Sequence, residues 1–119
     1  MPVNNQLLTE FNDLQSAYKY CKQKIIELKG SKFFYIGGSH DPEKRCADHK
    51  IEKGMETMYL LCKTQTKHDA KMLEKKLVKR FKDNIHIVNT IKYDNEGKPI
   101  LNGGFGLIEG INYIYVLFK

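Results

Sequence analysis

Tryptophan is absent, and cysteine is confined to Cys21, Cys46 and Cys62. An odd trio without CxxC spacing builds neither a disulfide framework nor a closed zinc site, so reduced, mostly buried thiols are expected. No apolar run approaches the ~20 residues that span a bilayer. The amino terminus, Met1-Pro-Val-Asn-Asn, lacks the basic-then-apolar pattern of a secretion signal. These absences point to a soluble, intracellular protein with no membrane partner. Internal repeats, low-complexity tracts and Pro- or Ser-rich linkers are also missing, and a chain of 119 residues suits one domain rather than two. Disorder does not fit a composition that is 41% hydrophobic and 11% aromatic. Arginine is scarce: Arg45 and Arg80 stand against eighteen lysines. The formal net charge of +6 leans toward a polyanionic partner, although lysine-rich surfaces also serve solubility.

What is present divides cleanly into elements. Leu7, Phe11, Leu14, Tyr18, Cys21, Ile25 and Leu28 recur at alternating steps of four and three. That stripe predicts a long amphipathic helix over 6–29, stopped by Gly30. It also meets the coiled-coil template, so pairing with a second copy is an alternative to packing on the chain's own sheet. The aromatic, β-branched run 32–37 reads as a strand. Asp41 as N-cap and Pro42 at the first helical position begin a second helix that runs to Lys53 and stops at Gly54. A strand over 56–63 follows. A third helix over 66–81 turns Ala70, Leu73, Leu77 and Phe81 inward. Residues 85–88 form a short extended piece, 93–99 a hairpin or loop, and Gly103, Gly104 and Gly106 a loose connection. The run 111–118 carries the strongest strand pattern of all. The order predicts an α+β fold, with a small central antiparallel sheet of about three strands flanked by helices. The single domain divides into the N-terminal helix, a core over 32–89 and the completing strand 111–118.

Chemistry concentrates in Tyr35-Ile-Gly-Gly-Ser-His-Asp-Pro-Glu-Lys-Arg-Cys-Ala-Asp-His49. A strand ends in Tyr-Ile-Gly, a glycine-rich turn follows, and a capped helix carries Arg45 and His49 four residues apart, hence on one face. A phenol, a guanidinium and an imidazole brought together suit a phosphodiester. Arginine grips phosphate oxygens bidentately and stabilises developing charge, while Tyr or His can orient or deprotonate water. Arg80 lacks such a setting and reads as solvated. Glu74 lies beside the core positions Leu73 and Leu77, at the edge of the buried face. On spacing alone it is either an ordinary helix-surface carboxylate paired with a lysine or a site residue.

The series Y-I-G-x-S-x-D-x-x-x-R-x-x-x-H over 35–49, followed by A-x-x-L-E-x-x-L-x-x-x-F over 70–81, resembles the GIY-YIG nuclease family. The likeness covers about half of the chain. It implies that Tyr35 lines an active site and helps position the attacking water, that Gly37 allows the close turn, and that Ser39 supports it. It also implies that Arg45 contacts the scissile phosphate, that His49 assists the chemistry, and that Glu74 ligates one Mg²⁺ or Mn²⁺ largely through water. Asn89 matches an asparagine that braces the site. The family's first strand, with Gly-Ile-Tyr, has no counterpart before residue 32. Tyr113-Ile-Tyr-Val-Leu117 resembles that strand's usual run, with Tyr115 in the place of its tyrosine and Tyr113 in that of its glycine. The resemblance then implies a circularly permuted domain whose final strand lies antiparallel beside the Tyr35 strand. The activity implied is a metal-dependent DNA endonuclease acting on duplex or branched substrates. Lys71, Lys75, Lys76, Lys79 and Lys82 would track the backbone without reading bases. A homodimer or a partner protein would supply targeting. Two alternatives are an inactive nucleic-acid-binding relative and a self-associating protein that uses the first helix.

Overall fold

A computed structural model describes residues 3–89, 92–93, 95–96, 99–100 and 107–119, with backbone alone at 49–53, 92–93 and 99–100. The expected helix over 6–29 begins late. Val3–Asn4 (β1) and Thr9–Glu10 (β2) are short strands, and the helix (α1) spans Leu14–Lys29. The boundary has a local cause. Asp13 sits in extended backbone and accepts both the Ser16 amide and the Ser16 hydroxyl at 2.8 Å, an N-cap that fixes the first turn. Upstream, Thr9 gains sheet hydrogen bonds that a helix would forgo. Leu7 and Phe11 nevertheless pack against the same core as the helical stripe. Phe11 meets Tyr20 with ring centroids 5.2 Å apart, and the Tyr20 hydroxyl donates to the Leu7 carbonyl. The periodicity identifies the inward residues correctly, but not the backbone that carries all of them.

Phe34–Ser39 (β3) leads into Pro42–Lys53 (α2), then Thr57–Thr64 (β4) and Lys67–Phe81 (α3). Asp41 accepts the Lys44 amide at 3.3 Å, and Thr66 caps α3 by accepting the Asp69 amide at 3.1 Å. Lys92–Tyr93 (β5) and Pro99–Ile100 (β6) pair antiparallel, a hairpin where one is expected over 93–99. The connection at Gly103, Gly104 and Gly106 lies outside the described residues. Asn112–Phe118 (β7) closes the fold.

The main sheet has five strands and is mixed, which corrects the expected three. Its middle is the antiparallel trio β4–β7–β3, and β1 and β2 pair in parallel with the far edge of β4. The last strand is thus the central one. Gly37 faces Tyr115 across the β3–β7 ladder, and Leu60 faces Tyr115 across β4–β7. Alternation along these strands sorts the side chains into two cores. One, under α1 and α3, holds Phe34, Ile36, Leu73, Leu77, Ile114 and Val116. The other, under α2, holds Cys46, Met55, Met58, Leu60, Tyr115 and Leu117. A bulge between Leu60 and Cys62 places Leu61 and Cys62 together in the first core. There α1 packs Ala17, Cys21 and Ile25 against its own domain, so the apolar stripe is already covered. All three cysteines are free and buried.

The outer edge of β3 is paired as well. Phe34 donates to the His86 carbonyl at 2.9 Å, and Val88 donates to the Phe34 carbonyl at 2.8 Å. No helix among the described residues is long and apolar enough to cross a membrane.

Candidate active site

Two adjacent glycines on β3 open the site from opposite sides. A Cβ built on Gly37 would lie 2.5 Å from the Tyr115 hydroxyl oxygen and 2.6 Å from its ring carbon Cζ, so the Tyr115 ring occupies that volume. A Cβ on Gly38, which faces the other way, would meet Ile114 and Leu107 at 3.1 Å and Glu74 Oε2 at 3.4 Å. Two glycines inside a strand run against β propensity, and close approach by other groups accounts for them. One admits a phenol from the neighbouring strand. The other admits a carboxylate from α3.

Arg45 joins them from α2. It reaches the Tyr115 side chain by a hydrogen bond and interacts electrostatically with Tyr35, Asp48 and Glu74. The Arg45–Asp48 ion pair measures 3.5 Å. Tyr35, Arg45 and Tyr115 thus gather on the α2 side of the sheet, and Glu74, which meets Gly38 from the α3 side, lies within electrostatic reach of Arg45 and Tyr115.

The electrostatics assign different protonation states to these groups. Burial pushes the Tyr115 phenol above its usual range, the neighbouring Tyr35 adds to that, and Arg45 pulls it back only in part. Tyr115 is therefore a neutral phenol near pH 7, suited to orienting rather than to accepting a proton at rest. Burial lowers the Arg45 pKa, but interaction with Tyr115 and Tyr35 more than offsets this, and the guanidinium stays charged. Glu74 is the most perturbed carboxyl group among the described residues. Desolvation raises its carboxyl pKa to about 7, against the opposing pull of Arg45. Glu74 retains some exposure to solvent, so the group is reachable.

The supporting residues are placed by the backbone. Asn89 accepts the Ile36 amide and donates to the Ile36 carbonyl, both at 2.8 Å, acting as a one-residue extension of the sheet. Ser39 is buried, and its hydroxyl accepts the Asp41 amide at 3.0 Å, turning the chain into α2. Tyr113 shares a face with Tyr115 but is half-buried against the second core, away from the Gly37 contact. The side chain of His49 lies outside the described residues. Lys71, Lys75, Lys76, Lys79 and Lys82 are all exposed. Lys71, Lys75 and Lys82 lie within roughly 100° of Glu74 around α3. Lys76 is turned away, its ammonium 5.9 Å from the Tyr18 ring centroid on α1.

No family model, curated protein or solved structure matches the chain. The functional reading therefore rests on the geometry and on the sequence motif.

Among the described residues no three His, Cys, Asp or Glu side chains gather as a metal cage. The donor set is the lone carboxylate of Glu74. Such a set fits a hard dication that keeps several waters and completes its shell with substrate phosphate oxygens, the usual manner of Mg²⁺. Sequence reasoning overlooked Gly38 and Asn112. The Gly37-Gly38 pair is itself the sign of crowding on both faces. Asn112 is fully buried, donates to the Ile108 carbonyl at 2.7 Å and accepts the Ile108 amide at 3.0 Å, thereby fixing the start of β7. An asparagine opening an otherwise apolar strand is the visible trace of that role.

Proposed function

We propose that this chain is a metal-dependent endonuclease of GIY-YIG type that hydrolyses DNA phosphodiesters one strand at a time. The observation that carries this reading is the grouping of Tyr35, Arg45 and Tyr115 on one side of β3, with the Glu74 carboxylate at Gly38 in electrostatic reach of the guanidinium. The permuted arrangement receives the same support, because β7 lies antiparallel beside β3 with Tyr115 over Gly37. In this reading the Arg45 fork binds two oxygens of the scissile phosphate and offsets the charge that grows in the transition state. Tyr115 holds the guanidinium in register. Half-buried Tyr35 orients the attacking water. Glu74 holds the Mg²⁺ or Mn²⁺, which supplies Lewis-acid stabilisation when bound. Arg45 beside Glu74 disfavours a bare dication, and a phosphate arriving between them relieves that repulsion. Lys71, Lys75 and Lys82 attract the backbone without reading sequence.

The test is cleavage of duplex, nicked, branched and single-stranded DNA by the purified chain with Mg²⁺ or Mn²⁺. Glu74→Gln should abolish cutting while binding survives. Cleavage by that variant at the parent rate would remove Glu74 from the mechanism. Binding without cleavage by the parent on every substrate would leave a nucleic-acid-binding module instead.

A further inference from the structure

A cavity of about 360 Å³ opens beside the Tyr115–Arg45 cluster, on the α2 side of the sheet. It is lined by buried Leu60, half-buried Leu8 and Tyr113, and by exposed His40, Asp41 and Glu43. Two spacings tie it to the catalytic cluster. Tyr113 and Tyr115 are alternate residues of β7, on one face and about 7 Å apart along the strand. Pro42, which also borders the cavity, precedes Arg45 by three residues on α2 and so shares its face. A strand whose phosphate sits on Arg45 would therefore bring a neighbouring nucleotide to this opening.

We propose that the cavity receives one unpaired nucleobase bearing an exocyclic amine, next to the scissile phosphate. The inference rests on the nuclease reading and narrows its substrate to DNA with a single-stranded or extruded nucleotide at the cut. Three features match that occupant. The leucines and the Tyr113 ring suit the flat π-face of a base, which stacks on aromatic side chains with little regard to sequence. The volume lies at the small-molecule end of ligand pockets and has room for a base. The carboxylates of Asp41 and Glu43 repel a phosphate, yet accept hydrogen bonds from amino groups such as cytosine N4. Adenine, guanine and cytosine carry such an amine, and thymine does not. A base paired inside a duplex cannot enter without leaving its stack, so a nucleotide already unpaired is favoured.

The experiment uses the full chain carrying Glu74→Gln, titrated by fluorescence anisotropy in Mg²⁺ with labelled duplexes. Each duplex holds a one-nucleotide bulge of adenine, cytosine, thymine or an abasic residue. Adenine and cytosine bulges should bind about tenfold more tightly than the abasic bulge, the size expected for one base stacked on an aromatic ring. Thymine should fall between. Adding Tyr113→Ala should erase the advantage over the abasic bulge. Asp41→Asn, which can still cap α2, combined with the exposed Glu43→Gln should erase the discrimination against thymine. The second pair keeps the test informative if the tyrosine variant fails to fold. Equal affinity for all four bulges overturns the proposal, as does unchanged discrimination in the amide variant. Cleavage by the parent chain separates the two readings. Cutting that ignores the bulged base removes the pocket and keeps the nuclease. Base-dependent binding with no cutting of any substrate removes the nuclease and keeps a base-binding pocket.

Discussion

Glu74 makes a prediction that needs no substrate. Its carboxyl pKa stands at about 7 in the fold, against 4.5 for the ordinary group, because desolvation penalises the charged form. The folded state therefore holds a proton that the unfolded chain has released across that interval. Stability then falls as pH rises from about 4.5 to 7, and stays reduced above it. At 1.36 kcal/mol per pK unit the full difference is about 3 kcal/mol, a ceiling because the side chain keeps some contact with water. Glu74→Gln removes the titration and keeps the shape. Urea unfolding at pH 4.5, 6, 7 and 8 provides the assay. The parent chain should lose midpoint relative to the variant by up to about 1–3 M between the extremes, given slopes of about 1–3 kcal/mol/M. Other titrating groups occur in both proteins and cancel in the comparison. Parallel pH profiles for the two proteins would refute the desolvated placement of Glu74.

Three further outcomes follow from the same geometry. Gly37→Ala drives a methyl group into the Tyr115 ring and should cost about 1–3 kcal/mol by urea unfolding, with cleavage lost as Tyr115 shifts. Asn89→Ala strands both the amide and the carbonyl of Ile36, and should lower stability by about 1–3 kcal/mol and speed hydrogen exchange at the Ile36 amide. An unchanged exchange rate there would mean that the Asn89 clamp is idle. Arg45→Lys keeps the charge but loses the planar fork, so the cleavage rate constant should fall about 100-fold with DNA affinity changed far less. Equal losses in rate and affinity would make Arg45 a mere anchor.

The α+β class and the order of helices and strands from Phe34 onward are legible in the sequence because each element carries its own punctuation. Asp41-Pro42 opens α2, Thr66 opens α3, and after Asn112 the run Tyr113–Phe118 is aliphatic and aromatic throughout because β7 is buried between two strands and under two helical layers. The extent of the first helix is not legible from periodicity. Leu7 and Phe11 satisfy the burial pattern of a helix while lying in a turn and a loop, and only the Asp13 cap marks the true start. The strands β1 and β2 escape notice because two residues leave no alternation to read, and their pairing with β4 is a tertiary choice. Within the candidate site, Arg45 and Tyr35 stand out by residue type. Glu74 is ambiguous by spacing alone, at the edge of a helix's buried face among lysines, and its desolvated place near Gly38 is a tertiary fact.

The position of β7 links stability to the candidate chemistry. It is the only partner that β3 and β4 share in the sheet, so without it each exposes a long unpaired edge. It also supplies Tyr115, which fills the space over Gly37 and holds Arg45. The site therefore cannot be assembled before the central strand docks, and a change that loosens this docking should reduce activity and stability together. Asn112, whose side chain ties the strand's entry to Ile108 and Gly110, is the place to separate the two effects. It lies at the end of β7 away from Phe34, three residues from Tyr115, and its side chain bonds to Ile108 and Gly110. Asn112→Ser should lower the urea midpoint while the rate per folded molecule holds. A loss of rate beyond the folded fraction would mean that the strand's register at Tyr115 depends on that turn. Tyr115→Phe, by contrast, should leave the ladder intact and weaken the hold on the guanidinium, lowering rate far more than stability.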